Sequence, residues 1–302
     1  MTTKKIKNVL ILGAGTMGLQ IGIQCAVSGF DVTIYDAFAK ALEQAEQRVP
    51  KITDSFVNHG RLEQKKADAG LLRLTFTSDP EKAGKAADLI SESVPEDPSL
   101  KQQVFSQFNK ICQAHTIFTT NSSTLVPSMV ADATGRPDRF AALHFHDLSI
   151  TNVVDVMPHP AASSETMNTI MAFCKDIDQY PIELKKEHHG YVFNTMLTAL
   201  LESALSLASQ KVASPEDIDR AWMGIMKTLV GPFGIMDSVG LETVHKITDY
   251  WAEKNNDTKR KGNAAYLKTF VEKGEIGVKT GKGFYEYPDP AFIKPDFMKG
   301  IR

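Results

Sequence analysis

Short apolar, β-branched runs alternate with longer stretches of helical spacing along the first part of the chain. The runs are VLIL (9–12), VTIY (32–35), LRLTF (72–76), LISESV (89–94), TIFTT (116–120), FAALHF (140–145) and YPIEL (180–184). Strand runs separated by helix-patterned segments predict a mostly parallel sheet with helices on its faces. From Tyr191 the pattern changes. YVFNTMLTALLESALSLASQ carries apolar residues at helical intervals, and SPEDIDRAWMGIMK opens with Ser214 as a cap and Pro215 in the first turn. LETVHKITDYWAEK and NAAYLKTFVEKG continue in the same manner, and Pro288, Pro290 and Pro295 mark an irregular tail. The expected fold class is α/β followed by all-α, with one domain over residues 1–186 and a helical domain over 187–302.

With 302 residues, 42% hydrophobic and 23% charged, the chain has enough apolar content for two packed cores. A net charge of -2, without long runs of one sign, argues against nucleic acid or a membrane surface as partner. No apolar stretch is long enough to predict a membrane span. Cys25, Cys112 and Cys174 are widely spaced and form no CxxC pair, which points to reduced, buried thiols in a cytoplasmic protein and not to structural zinc.

The first strand runs into LGAGTMG. Gly13, Gly15 and Gly18, with Ala14, Thr16 and Met17 between them, stand at the mouth of a helix that ends near Gly29, and the second strand ends in Asp36. This is the Rossmann-type dinucleotide fingerprint: a tight turn, a close backbone approach to the pyrophosphate, and a helix packed hard on its strand. Asp36 can accept both hydroxyls of the adenosine ribose and would repel a 2′-phosphate. YDAFAK offers no neighbouring arginine, so NAD is expected over NADP.

ILGAGTMG, SESVPEDPSLK, TTNSSTLVPS, RFAALHF, GYVFN, SPEDIDRAW, GPFGIMDSVGL and KTGKGFYEY follow one another in an order that resembles the L-3-hydroxyacyl-CoA dehydrogenase family, especially its bacterial 3-hydroxybutyryl-CoA members. The resemblance implies a Rossmann-type domain followed by a helical domain that forms a homodimer contact, NAD as cofactor and an acyl-CoA substrate. It implies a catalytic base at His144, a serine near nicotinamide and substrate at Ser123, and a substrate-binding amide at Asn194. It also places Glu96, Lys101 and Lys279 on the cofactor side, where Glu96 and Lys101 could otherwise be an ordinary surface ion pair.

HFHDLSITNVVDV departs from that pattern. Relatives usually read HFFNP with a glutamate twelve residues after the histidine, whereas the nearest candidate for that carboxylate here is Asp155, eleven residues on. Asp155 is expected to partner His144, with the shortened segment offsetting the lost methylene. Asp147 replaces an asparagine near the cofactor, and His146 replaces an apolar residue. A metal site from His144, His146, Asp147 and Asp155 is weighed and set aside, because alternate strand positions supply two histidines by chance. Lys51, Arg61, Lys65 and Lys66 around VNHGRLEQKK could meet coenzyme A phosphates or be a solvated basic face.

The expected activity is NAD-dependent oxidation of a short-chain L-3-hydroxyacyl-CoA. The alternatives are a dehydrogenase of a non-CoA 3-hydroxy compound, of gulonate or carnitine type, and a catalytically impaired NAD-binding regulator. GPFGIMDSVGL speaks for the acyl-CoA branch, and the apolar stripe from Val192 to Leu207 for a homodimer.

Overall fold

The computed structural model describes residues 6–300. The chain divides into two compact units, Met1–Val192 and Phe193–Arg302. The first holds a sheet of β1 (Asn8–Leu12), β2 (Asp31–Tyr35), β3 (Leu74–Thr77), β4 (Leu89–Glu92), β5 (Ile117–Thr120), β6 (Phe140–Phe145), β7 (Val153–Met157) and β8 (Tyr180–Glu183). Their spatial order is β3-β2-β1-β4-β5-β6-β7-β8. Every neighbouring pair is parallel except β6 and β7. The order reverses between β1 and β4, and the crevice beyond the carboxyl ends there is where doubly wound sheets bind their ligands.

Helices α1 (Thr16–Val27), α2 (Ala39–Asn58), α3 (Gln64–Leu71), α4 (Pro80–Gly84), α5 (Pro98–Ile111) and α6 (Ser164–Asp176) cover the sheet. Alternate strand residues feed opposite faces, as a two-residue side-chain period demands. Val9 and Ile11 pack with Leu19, Leu42 and Ile170 on one face, and Leu10 and Leu12 with Phe105 and Phe108 on the other. Phe105 meets Phe140 edge to face at 5.2 Å and stacks on Phe118 at 6.0 Å, which clamps α5 to β5 and β6.

β7 is the strand that the apolar runs did not reveal, because Asp155 interrupts VVDVM. Its antiparallel register places Ala142 opposite Met157 and His144 opposite Asp155. Ala142 and Met157 belong to a small buried cluster with Val126, Leu184 and Tyr191. His144 and Asp155, each two residues from a member of that cluster, continue its row on the same face.

The second unit consists of α7 (Phe193–Ser209), α8 (Pro215–Met226), α9 (Pro232–Val239), α10 (Leu241–Lys254) and α11 (Thr258–Val271) around Leu205, Phe233, Met236, Leu241 and Leu267. Ser214 caps α8 by accepting the Asp217 N–H at 3.1 Å, with Pro215 in the first turn. α11 starts ahead of NAAYLK because Asp257 caps it, behind a polar first turn that has no apolar signal. Two buried carboxylates knit the unit together. Asp219 accepts the N–H groups of Phe233 (2.8 Å) and Gly234 (3.0 Å) and the Tyr285 hydroxyl (2.9 Å). Asp237 accepts the N–H groups of Phe284 and Tyr285 (both 2.9 Å) and the Tyr287 hydroxyl (3.0 Å). SPEDIDRAW, GPFGIMDSVGL and KTGKGFYEY are thus the three segments that these bonds join. No helix among the described residues is long and apolar enough to cross a membrane.

Candidate active site

The loop after β1 is built to receive a pyrophosphate. Gly13 has φ +107°, and a Cβ there would lie 2.7 Å from the Ser93 carbonyl oxygen, so only glycine makes the turn. A Cβ on Gly18 would lie 2.0 Å from the Gly13 carbonyl oxygen, which enforces the close approach of α1. A Cβ on Gly15 would meet nothing within 4 Å, and α1 has no side-chain cap. The open side of Gly15 and the uncapped helix N-terminus together fit an anionic group lying on the backbone. Asp36 accepts the Ala14 N–H and the Phe38 N–H, each at 3.0 Å, which fixes the carboxylate at the end of β2. A carboxylate offers about four acceptor positions, so two remain for ribose hydroxyls. Met17 is half buried against the core. Arg48 on α2 donates to the Thr16 hydroxyl at 2.6 Å and adds a cation at this loop, a residue that the sequence reading missed.

Glu96 and Lys101 are not the surface pair that served as their alternative. Lys101 is buried and lies 2.7 Å from the fully buried Glu92 and 3.2 Å from Glu96. Glu92 also accepts the Thr120 hydroxyl (2.6 Å) and the Val94 N–H (2.8 Å). Burial pushes the Glu92 carboxyl above its ordinary value, against the pull of Lys101 and these hydrogen bonds. Glu96 goes the other way: burial opposes its charge, but bonds from Ser122 and Thr124 and the charge of Lys101 hold it at about 2. The ion pair therefore anchors the ends of β4 and β5. Sequence reasoning missed Glu92, although a glutamate inside an apolar strand needs a partner.

This anchoring explains Ser123. Within NSST, Asn121 accepts the Phe145 N–H at 2.7 Å, and the Ser122 and Thr124 hydroxyls both bond to Glu96. The Ser123 side chain is half buried, and its hydroxyl has no hydrogen-bond partner among the described residues. Three neighbours hold the turn, and the Ser123 hydroxyl takes no part in holding it.

At the carboxyl end of β6, His144 Nδ1 lies 3.3 Å from Asp155 Oδ2, with both side chains buried. His146, just past the strand and on the same face, brings Nε2 to 3.2 Å from that same oxygen. The two imidazole rings stand edge to face at 4.6 Å. Tyr191, buried, with φ +52° after Gly190 at φ +80°, lays its ring 4.7 Å from that of His144. Burial opposes charge on Asp155, yet the hydrogen bonds and charges of the two histidines bring its carboxyl below the ordinary value. Asp147, expected on the cofactor side, has one oxygen engaged, which takes Gln20 Nε2 (3.0 Å), the Ser149 N–H (2.9 Å) and the Ser149 hydroxyl (2.7 Å). A short polar side chain in a turn readily closes it in this way, and here it also docks the turn on α1.

In the helical unit, Asn194 is half buried in the first turn of α7, and Lys279 is exposed on the short turn Val278–Thr280. Lys51, Lys65 and Lys66 are exposed on α2 and α3, and Arg61 between them is half buried.

Two family models match the chain: "3-hydroxyacyl-CoA dehydrogenase, NAD binding domain" over residues 8–188 and "3-hydroxyacyl-CoA dehydrogenase, C-terminal domain" over residues 190–287. The mitochondrial hydroxyacyl-coenzyme A dehydrogenase of Rattus norvegicus is 31% identical over 290 residues, 93% of this chain and 91% of that one. The probable 3-hydroxybutyryl-CoA dehydrogenase of Bacillus subtilis (strain 168) is 29% identical over 286 residues, 94% of this chain and 99% of that one. Among solved structures, a diketoreductase described as acting on dicarbonyl compounds matches with TM-score 0.86 and 38% identity, over 94% of this chain and 100% of that one. The (S)-3-hydroxybutyryl-CoA dehydrogenase of Ralstonia eutropha matches with TM-score 0.84 and 28% identity over the same shares.

Proposed function

The chain belongs to the 3-hydroxyacyl-CoA dehydrogenase family, and on that premise we propose that it oxidises a short-chain L-3-hydroxyacyl-CoA to the 3-ketoacyl-CoA, with His144 as general base. It is an NAD-dependent oxidoreductase. When bound, the cofactor supplies the hydride acceptor. The reading rests on one observation above the others: His144 turns Nδ1 to a buried carboxylate while Nε2 has no hydrogen-bond partner among the described residues. A base in that arrangement takes the substrate hydroxyl proton on Nε2, and Asp155 holds the tautomer and stabilises the imidazolium. Ser123 and Asn194 are assigned to the substrate oxygens, and Gly13 to Gly18, Asp36, Glu96, Lys101 and Lys279 to the cofactor side. For Glu96 and Lys101 that role is indirect, through the turn that presents Ser123.

The 38% identity to a diketoreductase favours a second reading, a non-CoA dicarbonyl or hydroxycarbonyl substrate worked on by the same residues. A spectrophotometric screen decides between them. NADH formation from 3-hydroxybutyryl-CoA, well above that from gulonate, carnitine or longer esters, supports the first. NADH consumption with a dicarbonyl compound, and none of the former, supports the second.

We also propose a homodimer through the helical unit. Leu201, Ala204, Leu205 and Ala208 of α7 are buried within it, whereas Met196 is 61% exposed on the same helix and Leu229 is 90% exposed beyond α8. Sedimentation at micromolar concentration tests this, and a monomer defeats it. The buried cysteines, none in a disulfide, suit a reducing cytoplasm.

A further inference from the structure

We propose that His144, His146 and Asp155 form a binding site for one zinc ion, and that filling it switches the dehydrogenase off. The switching rests on His144 being the base, as proposed above; the binding does not.

Asp155 Oδ2 lies 3.3 Å from His144 Nδ1 and 3.2 Å from His146 Nε2, and one ligand atom from each of the three residues lies within 4.8 Å of the others. A charge-assisted N–H···O bond is shorter, about 2.7–2.9 Å. Ligands about 2.0–2.1 Å from a tetrahedral zinc ion stand about 3.3 Å apart, so two of the three edges already have the separation that zinc imposes. The third edge lies on the side of His146, which stands past the end of β6. Two imidazoles and one carboxylate oxygen are ligands that suit zinc.

The support around the trio is uneven in a way that suits a reversible site. Asp155 is held between the buried residues Val154 and Val156 of β7, and His144 is held by the ladder and by the Tyr191 ring. The side chain of His146 is 18% exposed, against 7% for His144, so the ion reaches the site from the His146 side and keeps water as a fourth ligand. Asp147 stays outside the set, because its bonds to Gln20 and Ser149 already turn it elsewhere.

Catalysis needs the proton on Nδ1 and the lone pair on Nε2. Zinc takes the Nδ1 lone pair, so the neutral ring carries its one proton on Nε2 and no base remains for the substrate hydroxyl. The Asp155 charge is committed to the ion at the same time. No bond of the substrate or cofactor is involved, and a chelator restores the original tautomer.

The test titrates zinc into chelator-dialysed, full-length protein in competition with a chromophoric chelator. One ion per chain with micromolar or tighter affinity is expected, weakened about a hundredfold in His146→Phe and in His146→Gln. Less than a fifth of an ion per chain, or unchanged affinity in both variants, overturns the site. In parallel, the activity of each protein relative to its own metal-free state is followed as zinc is added. Wild-type activity should fall with occupancy and return on chelation, and the variants should need far more zinc. Full activity with the site filled overturns the switch. A chain that binds zinc as stated but oxidises nothing when metal-free overturns the dehydrogenase reading and leaves the metal site standing.

Discussion

His144 and Asp155 are directly opposed residues of the antiparallel β6–β7 ladder, and 3.3 Å separates Nδ1 from Oδ2. In the family pattern the carboxylate belongs to a longer side chain, one residue further along. Here the strand register itself delivers the shorter one, since residues facing each other across such a pair place their Cβ atoms about 4.5–5.5 Å apart.

Replacing Asp155 by asparagine should therefore lower kcat by about two to four orders of magnitude, the loss expected when tautomer control and imidazolium stabilisation go together. NAD affinity, measured by fluorescence titration, should stay within about twofold of wild type because Asp36 and the glycine loop are untouched. A variant that keeps a tenth of the activity sinks the pairing. Asp155 also carries a sign for stability. The two histidines hold its carboxyl below the ordinary aspartate value, so its stabilising contribution is present above that value and is lost as pH falls through the lower folded value.

Cofactor choice is read from Asp36. Alanine there should raise the KM for NAD by about 10- to 100-fold with little change in kcat at saturation, the signature of lost uniform binding. Discrimination against NADP should shrink in the same variant. Arg48→Ala, which removes the cation at Thr16, should weaken both cofactors alike. Equal efficiency of the wild-type enzyme with NAD and NADP removes the assignment of Asp36.

The helical unit carries its own pH dependence. Burial pushes the Asp219 carboxyl up to about 6 despite the three bonds it accepts. A carboxyl that holds its proton more tightly when folded contributes stability that is full below the unfolded value near 3.8 and is lost as pH rises through 6. Asparagine keeps an accepting oxygen and does not titrate. Between pH 4 and pH 7 the melting temperature of wild type should thus fall by a few degrees relative to Asp219→Asn. Parallel curves for the two proteins would exclude Asp219 as the titrating group.

The alternation of strand and helix patterns, the glycine loop and the Ser214 cap were legible in the sequence because each is a local consequence of side-chain period or backbone freedom. β7 was not, since an aspartate at its centre makes sense only opposite a histidine on another strand. The same applies to Glu92, whose partners Lys101 and Thr120 stand 9 and 28 residues away. Asp147 adds a contact that the pattern did not give: its two-residue reach to the Ser149 N–H closes a turn. Polar residues buried by long-range pairing are where a one-dimensional pattern runs out.

The buried pair Glu92–Lys101 gives the sharpest test of that pairing. Both side chains are almost wholly out of solvent, at 0% and 2% exposure, so neither charge can turn to water if its partner is removed. Lys101→Met leaves Glu92 with only the Thr120 hydroxyl and the Val94 N–H, and Glu92→Gln leaves the ammonium with Glu96 and the Val94 carbonyl. Breaking one side of such a pair costs about 3–5 kcal/mol, whereas replacing both partners by apolar residues of similar volume is often neutral. Denaturant titration should therefore find Lys101→Met strongly destabilised and the double variant Glu92→Leu with Lys101→Met recovering most of that loss. The double variant keeps Glu96 on Ser122 and Thr124, so the turn that presents Ser123 should survive and NAD-linked activity should stay within about tenfold of wild type. If the single variant is as stable as wild type, the pair is not the anchor of β4 and β5. If the stable double variant is inactive, Lys101 acts on the cofactor directly and not through the turn.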